Sequence, residues 1–321
     1  PLYRIDQNLR YIAKHLFHRP HPATAEDAAF YAAQQNFQAQ LVAELPMQGG
    51  VRLVAGGDLM WLRDGHADFA SEGVRKVLGA ADATLANLET PVDPKRPVRR
   101  YTYETLRYNA PPEYLDAWAR ASRCSLLSLC NNHALDQGLS GLARTRHEVE
   151  KRGIVCVGGP SDLRDAVGLL CVRGMRLACF GLTFGINGLS QASDGPKGIP
   201  ILAFGDPRAR TDWSLAARLI EEARALHPDW IIALPHWGYE YEDWPDALMR
   251  ADAHRLIGMG CDVLLGSSPH VLQPVEVVSI NGWDARAPTQ IARKEGPPRP
   301  GIIAYSLGNL ASILPTAGCQ V

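Results

Sequence analysis

No apolar run in this chain approaches the eighteen or so residues that a membrane-crossing helix needs, and its first residues lack the pattern of a secretion leader. The chain is therefore expected in the cytoplasm as it stands; it opens on proline instead of methionine, and removal of a leader or anchor would place it in the cell envelope. An excess of one charge is missing too: 33 Lys and Arg face 34 Asp and Glu. That balance argues against a nucleic-acid groove or a polybasic membrane face and leaves small-molecule or peptide chemistry open. Paired cysteines are absent. The seven present (Cys124, Cys130, Cys156, Cys171, Cys179, Cys261 and Cys319) are odd in number and mostly sit inside apolar runs. They read as small buried side chains, neither a disulfide framework nor a thiolate metal site.

What is present is an α/β rhythm. A length of 321 residues exceeds the usual single domain, yet a layered α/β sandwich with insertions can use most of it as one core. Residues 1–50 are set apart as an N-terminal helical appendage to the 51–321 domain. Thr24 and Asp27 offer a capped start, and Phe30, Ala33, Phe37, Leu41 and Leu45 recur at helical spacing. An earlier helix over Asn8–Phe17 is separated from it by the breaker His18–Pro22, giving a helical hairpin on the main domain or a partner-binding arm. Further helices are expected over Gly73–Gly79, Pro112–Arg120, Ser140–Lys151, Thr211–Ala225 and Pro245–Ile257, with strand-like runs between them. Two runs flanking Gly174 predict an antiparallel hairpin, hence mixed sheets. Asn281–Pro300, rich in Pro, Arg and Gly, is expected to be a long exposed loop that covers or borders the site.

Five strand-like runs each end in a polar cluster: Val51–Ala55 before Gly57-Asp58, Ala83–Leu88 before Glu89, Ser125–Leu129 before Asn131-Asn132-His133, Trp230–Leu234 before His236, and Asp262–Leu265 before Gly266–His270. Ligands of α/β sheets gather outside the carboxyl ends of strands, so these clusters are expected to converge. Carboxylate, amide and imidazole suit manganese, zinc, iron or magnesium, without distinguishing among them. Each residue has a plainer reading as well. Asp58 and Glu89 can be turn or cap residues, and a lone His236 can be a satisfied core histidine. Asn87 is assigned to the face of its strand opposite Glu89. Asp136, three residues after His133, is placed to hold that imidazole, and Glu240 is within reach of His236 as an acid or base. Glu242 and Asp243 are expected to face water. Lys95, Arg96, Arg99, Arg100 and Arg107 crowd one loop, as solvated surface or as a rim for carboxylates, with Tyr101, Tyr103, Tyr108 and Trp118 as pocket walls.

The segments GDLM, NLETP, NNHALDQG, HWGYE, GSSPHVLQP and YSLGN, in that order between Val51 and Asn309, together resemble the CapA family, bacterial poly-γ-glutamate capsule synthesis proteins with a fold related to the calcineurin-like metallophosphatases. The resemblance implies a metallophosphatase-like sandwich of mixed sheets flanked by helices. It implies divalent-metal ligands at Asp58, Glu89, Asn132, His236 and His270, and proton-moving roles for His133, Asp136, His270 and Glu240. Arg99, Arg100, Arg107 and Ser268 would then meet substrate, with Asn309 structural. Two positions depart from the phosphatase pattern: Met60 and Ser268 stand where histidines are usual. One tightly held cation is therefore expected instead of a full binuclear centre. The implied function is a metal-dependent, hydrolase-like enzyme acting on poly-γ-glutamate or a related peptide-like amide in capsule biosynthesis, with capsule-synthesis partners. The alternatives are a peptide epimerase that stabilises an enolate and a noncatalytic component of a synthesis and export complex.

Overall fold

Short β-rich runs separated by helix-length segments fold into two sheets packed face to face. The computed structural model describes residues 23–45, 49–61, 71–98, 107–187, 197–204 and 211–311, apart from the side chains at 124 and 125. The first sheet holds β1 (Leu53–Leu59), β2 (Ala83–Leu88), β3 (Cys124–Ser128) and β4 (Val155–Val157), with β12 (Asn309–Ala311) added beside β1. All its pairings are parallel, which requires crossovers. The helices α2 (Glu72–Gly79), α3 (Pro112–Ala121) and α4 (Gly138–Glu150) occupy them.

The second sheet is mixed. β5 (Val167–Val172) and β6 (Met175–Thr183) form the expected antiparallel hairpin, turned by Arg173 (φ 49°) and Gly174 (φ 86°), both left-handed as a tight hairpin turn prefers. β7 (Trp230–His236) and β8 (Val263–Leu265) follow in parallel, linked by α5 (Trp213–Ala225) and α6 (Ala247–Met259). β9 (Val275–Ile280), β10 (Thr289–Ile291) and β11 (Arg299–Ala304) complete the order β10-β9-β11-β8-β7-β6-β5.

Leu85 and Leu126 of the first sheet cluster with Leu177, Cys179, Ile232 and Leu234 of the second, forming the core between the sheets. Their strand neighbours Ala86, Leu127, Phe180 and Ala233 join a larger cluster with helical Leu115, Trp118, Leu219 and Leu256. Burial on both faces explains why these strands read as unbroken apolar runs. Trp118, expected as a pocket wall, is instead one of the largest fully buried side chains. Of the cysteines whose state is described, Cys130, Cys156, Cys179 and Cys261 are free and buried, and Cys171 is free and exposed.

The appendage supplies one described helix, α1 (Ala25–Glu44); the earlier expected helix lies outside the described residues. Thr24 caps α1 by accepting from the Asp27 amide at 3.0 Å. Its buried residues are Tyr31, Gln34 and Phe37, whereas Ala33 and Leu45, expected on the buried face, are exposed. The reason is polar. Gln34 Oε1 accepts from the Val277 amide at 3.0 Å, and Gln38 Nε2 donates to the Val275 carbonyl at 2.8 Å. β10 pairs only with Val278–Ile280, so the glutamines of α1 satisfy backbone groups along the rest of that edge.

The 281–300 segment is also a correction. It contains β10, and Arg293 Nη1 donates to Asp262 Oδ1 at 2.9 Å. It joins the end of β9 to the start of β11, at the opposite end of the sheet from the strand termini that gather the polar clusters. It does not border them. Among the described residues no helix is long and apolar enough to cross a membrane.

Candidate metal centre

Strand direction brings the polar clusters together, because the carboxyl ends of β1, β2, β3, β7 and β8 open on one side. Asp58 lies inside β1, one residue from its end, after a register shift between Ala55 and Asp58. The irregularity is built on Gly57. A Cβ there would sit 1.8 Å from the Gly308 carbonyl oxygen, the same atom that accepts from the Asp58 amide at 2.9 Å.

Asp58, Glu89 and His236 are all buried and offer ligand atoms within 4.8 Å of one another. His236 Nε2 is 3.6 Å from Glu89 Oε1 and 2.9 Å from Asn132 Oδ1. Its Nδ1 is 3.0 Å from Ser267 Oγ. A proton on Nδ1, donated to that hydroxyl, leaves the Nε2 lone pair facing the two oxygens. Phe184 stacks parallel on the ring at 5.7 Å. His270 approaches from the other side, its Nδ1 2.9 Å from Asn309 Oδ1, 3.3 Å from Asp58 Oδ2 and 3.9 Å from Glu89 Oε2. Three of the five expected ligands, Asp58, Glu89 and His236, thus form one cluster, with Asn132 beside His236 and His270 beside Asp58.

The electrostatics are those of a crowded anion pair. Burial pushes the Glu89 carboxyl well above the usual glutamate range, and the Asp58 charge adds to it. Burial opposes ionisation of Asp58 as well, but the His270 hydrogen bond, the charges of His236 and His270 and the Asn87 hydrogen bond together outweigh it and hold Asp58 at about 2. His236 is lowered to about 3, chiefly by burial. Burial also disfavours charge on His270, yet the Glu89 and Asp58 carboxylates outweigh it and push its value well up.

These residues fit a divalent cation. Glu89 Oε2 is buried with no hydrogen-bond partner, a costly state that a bound cation relieves. Separations of about 3 to 3.5 Å between ligand atoms are also what two donors roughly 2.1 Å from one ion require, close to the 2.9 Å and 3.6 Å at His236 Nε2. Met60 is buried and donates its amide to the Ala311 carbonyl. Ser268, also buried, donates its amide to Asp58 Oδ2 at 3.0 Å.

Beside the cluster lies a buried histidine paired with an aspartate. His133 Nδ1 is 2.7 Å from Asp136 Oδ2, which also accepts from the Tyr108 amide at 2.7 Å. The Tyr108 ring stacks on His133 with centroids 4.0 Å apart, so this expected wall residue does face the site. Glu240 is half-buried, and its charge acts on both Glu89 and His270. Glu242 and Asp243, expected to face water, are half-buried too. Arg107, Lys95 and Arg96 are exposed. Asn109 pins the Lys95 loop next to Tyr108 by donating to the Asp93 and Arg96 carbonyls, both at 3.1 Å. Arg99, Arg100, Tyr101 and Tyr103 lie outside the described residues.

Three contributors were not anticipated. Asn87, assigned to the opposite face, donates to Asp58 Oδ1 at 2.7 Å and lies 3.3 Å from His236 Nδ1. A two-residue strand period puts positions 87 and 89 on the same side, so the pattern itself could have found it. Asn187 donates its amide to the Asn132 carbonyl at 2.8 Å and places Nδ2 3.4 Å from His133 Nε2. Ser267 is the third, through His236.

Sequence comparison places this chain among known proteins. The chain is 28% identical over 246 residues to the PGA biosynthesis protein CapA of Bacillus subtilis, a match covering 76% of this chain and 56% of that protein. It is 25% identical over 247 residues to the capsule biosynthesis protein CapA of Bacillus anthracis, covering 75% and 53%. A probable polyglutamine synthesis accessory protein of Mycobacterium tuberculosis is 30% identical over 212 residues, covering 62% and 52%. The matches therefore span about half the length of these relatives. The family model for the bacterial capsule synthesis protein PGA_cap matches residues 52–313, most of the chain and every residue of the centre; the chain belongs to that family.

Proposed function

We propose that the chain is a metal-dependent enzyme that acts on poly-γ-glutamate or a related peptide-like amide, in the biosynthesis or processing of a capsule-type polymer. The observation that carries this reading is the buried Asp58, Glu89 and His236 cluster with its unpartnered carboxylate oxygen. Asp58, Glu89, His236 and Asn132 would hold one divalent cation, with His270 at its edge. A cation bound there supplies Lewis acidity, polarising an amide carbonyl or acidifying water.

The remaining steps belong to the chain's own side chains. Asp136 fixes the proton of His133 on Nδ1, which leaves Nε2 to give or take a proton at the amide. The stacked Tyr108 ring prevents that imidazole from turning. Lys95, Arg96 and Arg107 form a basic rim that attracts carboxylates spaced along an anionic chain; Arg99 and Arg100 would extend it. The names of the Bacillus and mycobacterial relatives point to the same polymer class.

The test is incubation with poly-γ-glutamate and with a neutral peptide, with and without added metal, following chain length and α-hydrogen exchange. Metal-dependent shortening is expected, with preference for the anionic chain declining as salt rises. Exchange without shortening would replace the hydrolytic reading by epimerisation, and binding with neither would replace it by an assembly role. His133→Ala should keep most cation binding and lose turnover; loss of the cation would move His133 into the ligand set.

A further inference from the structure

Helix α1 lies N-terminal to the family match, which begins at residue 52, yet it packs against the structure that forms one wall of the metal centre. The Tyr31 ring is buried, with its centroid 5.5 Å from that of Trp244 and 6.5 Å, edge-on, from that of Tyr305. Trp244 lies near the end of the loop that follows β7 and carries Glu240. Tyr305 anchors the start of the same loop, because its carbonyl accepts from Trp237 Nε1 at 2.9 Å.

That loop is tied to the one that follows β8 and carries Ser267, Ser268 and His270. The Tyr241 amide donates to the Pro269 carbonyl at 2.8 Å, and Gln273 Nε2 donates to the Glu242 carbonyl at 2.7 Å. The second loop runs directly into β9, whose first residues are bound by Gln34 and Gln38 of α1. Both loops hold non-glycine residues in left-handed backbone: Tyr241 (φ 60°), Ser268 (φ 98°) and His270 (φ 60°). Such conformations cost free energy and persist only where surrounding packing enforces them.

We propose that α1 is a positioning element of the metal centre, with Tyr31 as its positioning residue, clamping the two strained loops so that Glu240, Ser268 and His270 face Asp58 and Glu89. Only the cation arm of the test rests on the metal reading above. Tyr31→Leu removes the aromatic contact from the helix side, and Trp244→Leu removes it from the loop side. Tyr31→Phe keeps the ring. Phe37→Ala damages the same helix where it packs on Val277 and Ala287, away from Trp244.

Amide hydrogen exchange of the full chain reads the loops directly. Tyr31→Leu and Trp244→Leu are expected to accelerate exchange about tenfold over residues 239–244 and 268–273, with β2 and β3 unchanged. They should also weaken Mn2+ affinity about tenfold, the scale at which supports of ligands act. Tyr31→Phe and Phe37→Ala should leave both readouts within about twofold, although Phe37→Ala lowers the melting temperature. Uniform acceleration across the core in Tyr31→Leu, or an equal effect from Phe37→Ala, would make α1 merely stabilising and overturn the proposal. If the unaltered chain binds no cation, the metal reading fails on its own, and localised against uniform exchange still decides the role of α1.

Discussion

Glu89 is where function and stability pull apart. A buried carboxylate oxygen with no partner, beside a second carboxylate, is tolerated only if something else needs it. Glu89→Gln removes the potential anion and keeps the shape. It should lower divalent-cation affinity by about 10- to 100-fold while leaving the cation-free protein as stable or about 1 kcal/mol more so. Calorimetric titration and thermal melts in chelator check both halves. Asn87→Ala should behave differently: Asp58 loses a donor at 2.7 Å, so the cation-free protein itself should lose about 1–3 kcal/mol, seen as a lower urea midpoint. The convergence of Asp58, Glu89 and His236 was legible in the sequence because each follows an apolar, strand-like run, whereas Asn132 and His270 were singled out as ligands only by the resemblance to the CapA family. Ser267 and Asn187 were not legible, since a serine beside another serine and an asparagine in a loop carry no spacing that marks them. Their roles come from approach across the fold.

At the level of elements, β1 is the sensitive one, because its last turn of chain must sit against Gly308. Gly57→Ala would force a Cβ into a backbone oxygen, with no flexible side chain able to yield. A loss of about 3 kcal/mol or more is expected, together with loss of cation binding; a near-native denaturation midpoint would show that the β1–β12 contact can open without cost. Most strands and helices were readable from hydrophobic runs and breakers, and the hairpin at Gly174 from its turn. The three-residue β10 was hidden in a Pro- and Arg-rich stretch, since a short edge strand has no period to detect. The face of α1 was misjudged because an apolar pattern cannot show that Gln34 is drawn inward by a strand amide.

For the molecule as a whole, Glu276 is one of the buried carboxylates that tie stability to pH. It is buried and accepts from His254 Nε2 at 3.0 Å and from the Tyr305 hydroxyl at 2.7 Å. Burial raises its pKa, but the His254 hydrogen bond and charge, with Thr289 and Tyr305, outweigh burial and hold it below the ordinary 4.5. A depressed carboxylate stabilises the fold fully above its unfolded value and loses that contribution as pH falls through the folded one. Stability should therefore decline below about pH 4.5. Glu276→Gln should flatten that decline and cost about 2–3 kcal/mol at pH 7, measured by denaturation at stepped pH. The centre itself draws on both sheets: Asp58, Glu89 and Asn132 come from the first, and His236, Ser267 and His270 from the second. The backbone that seats Asp58 comes from Gly308, near the end of the matched region. A nascent chain leaving the ribosome thus exposes the first carboxylate of the centre some 250 residues, Asp58 to Gly308, before the carbonyl that seats it, so the proposed cation site cannot be assembled until residue 308 has emerged.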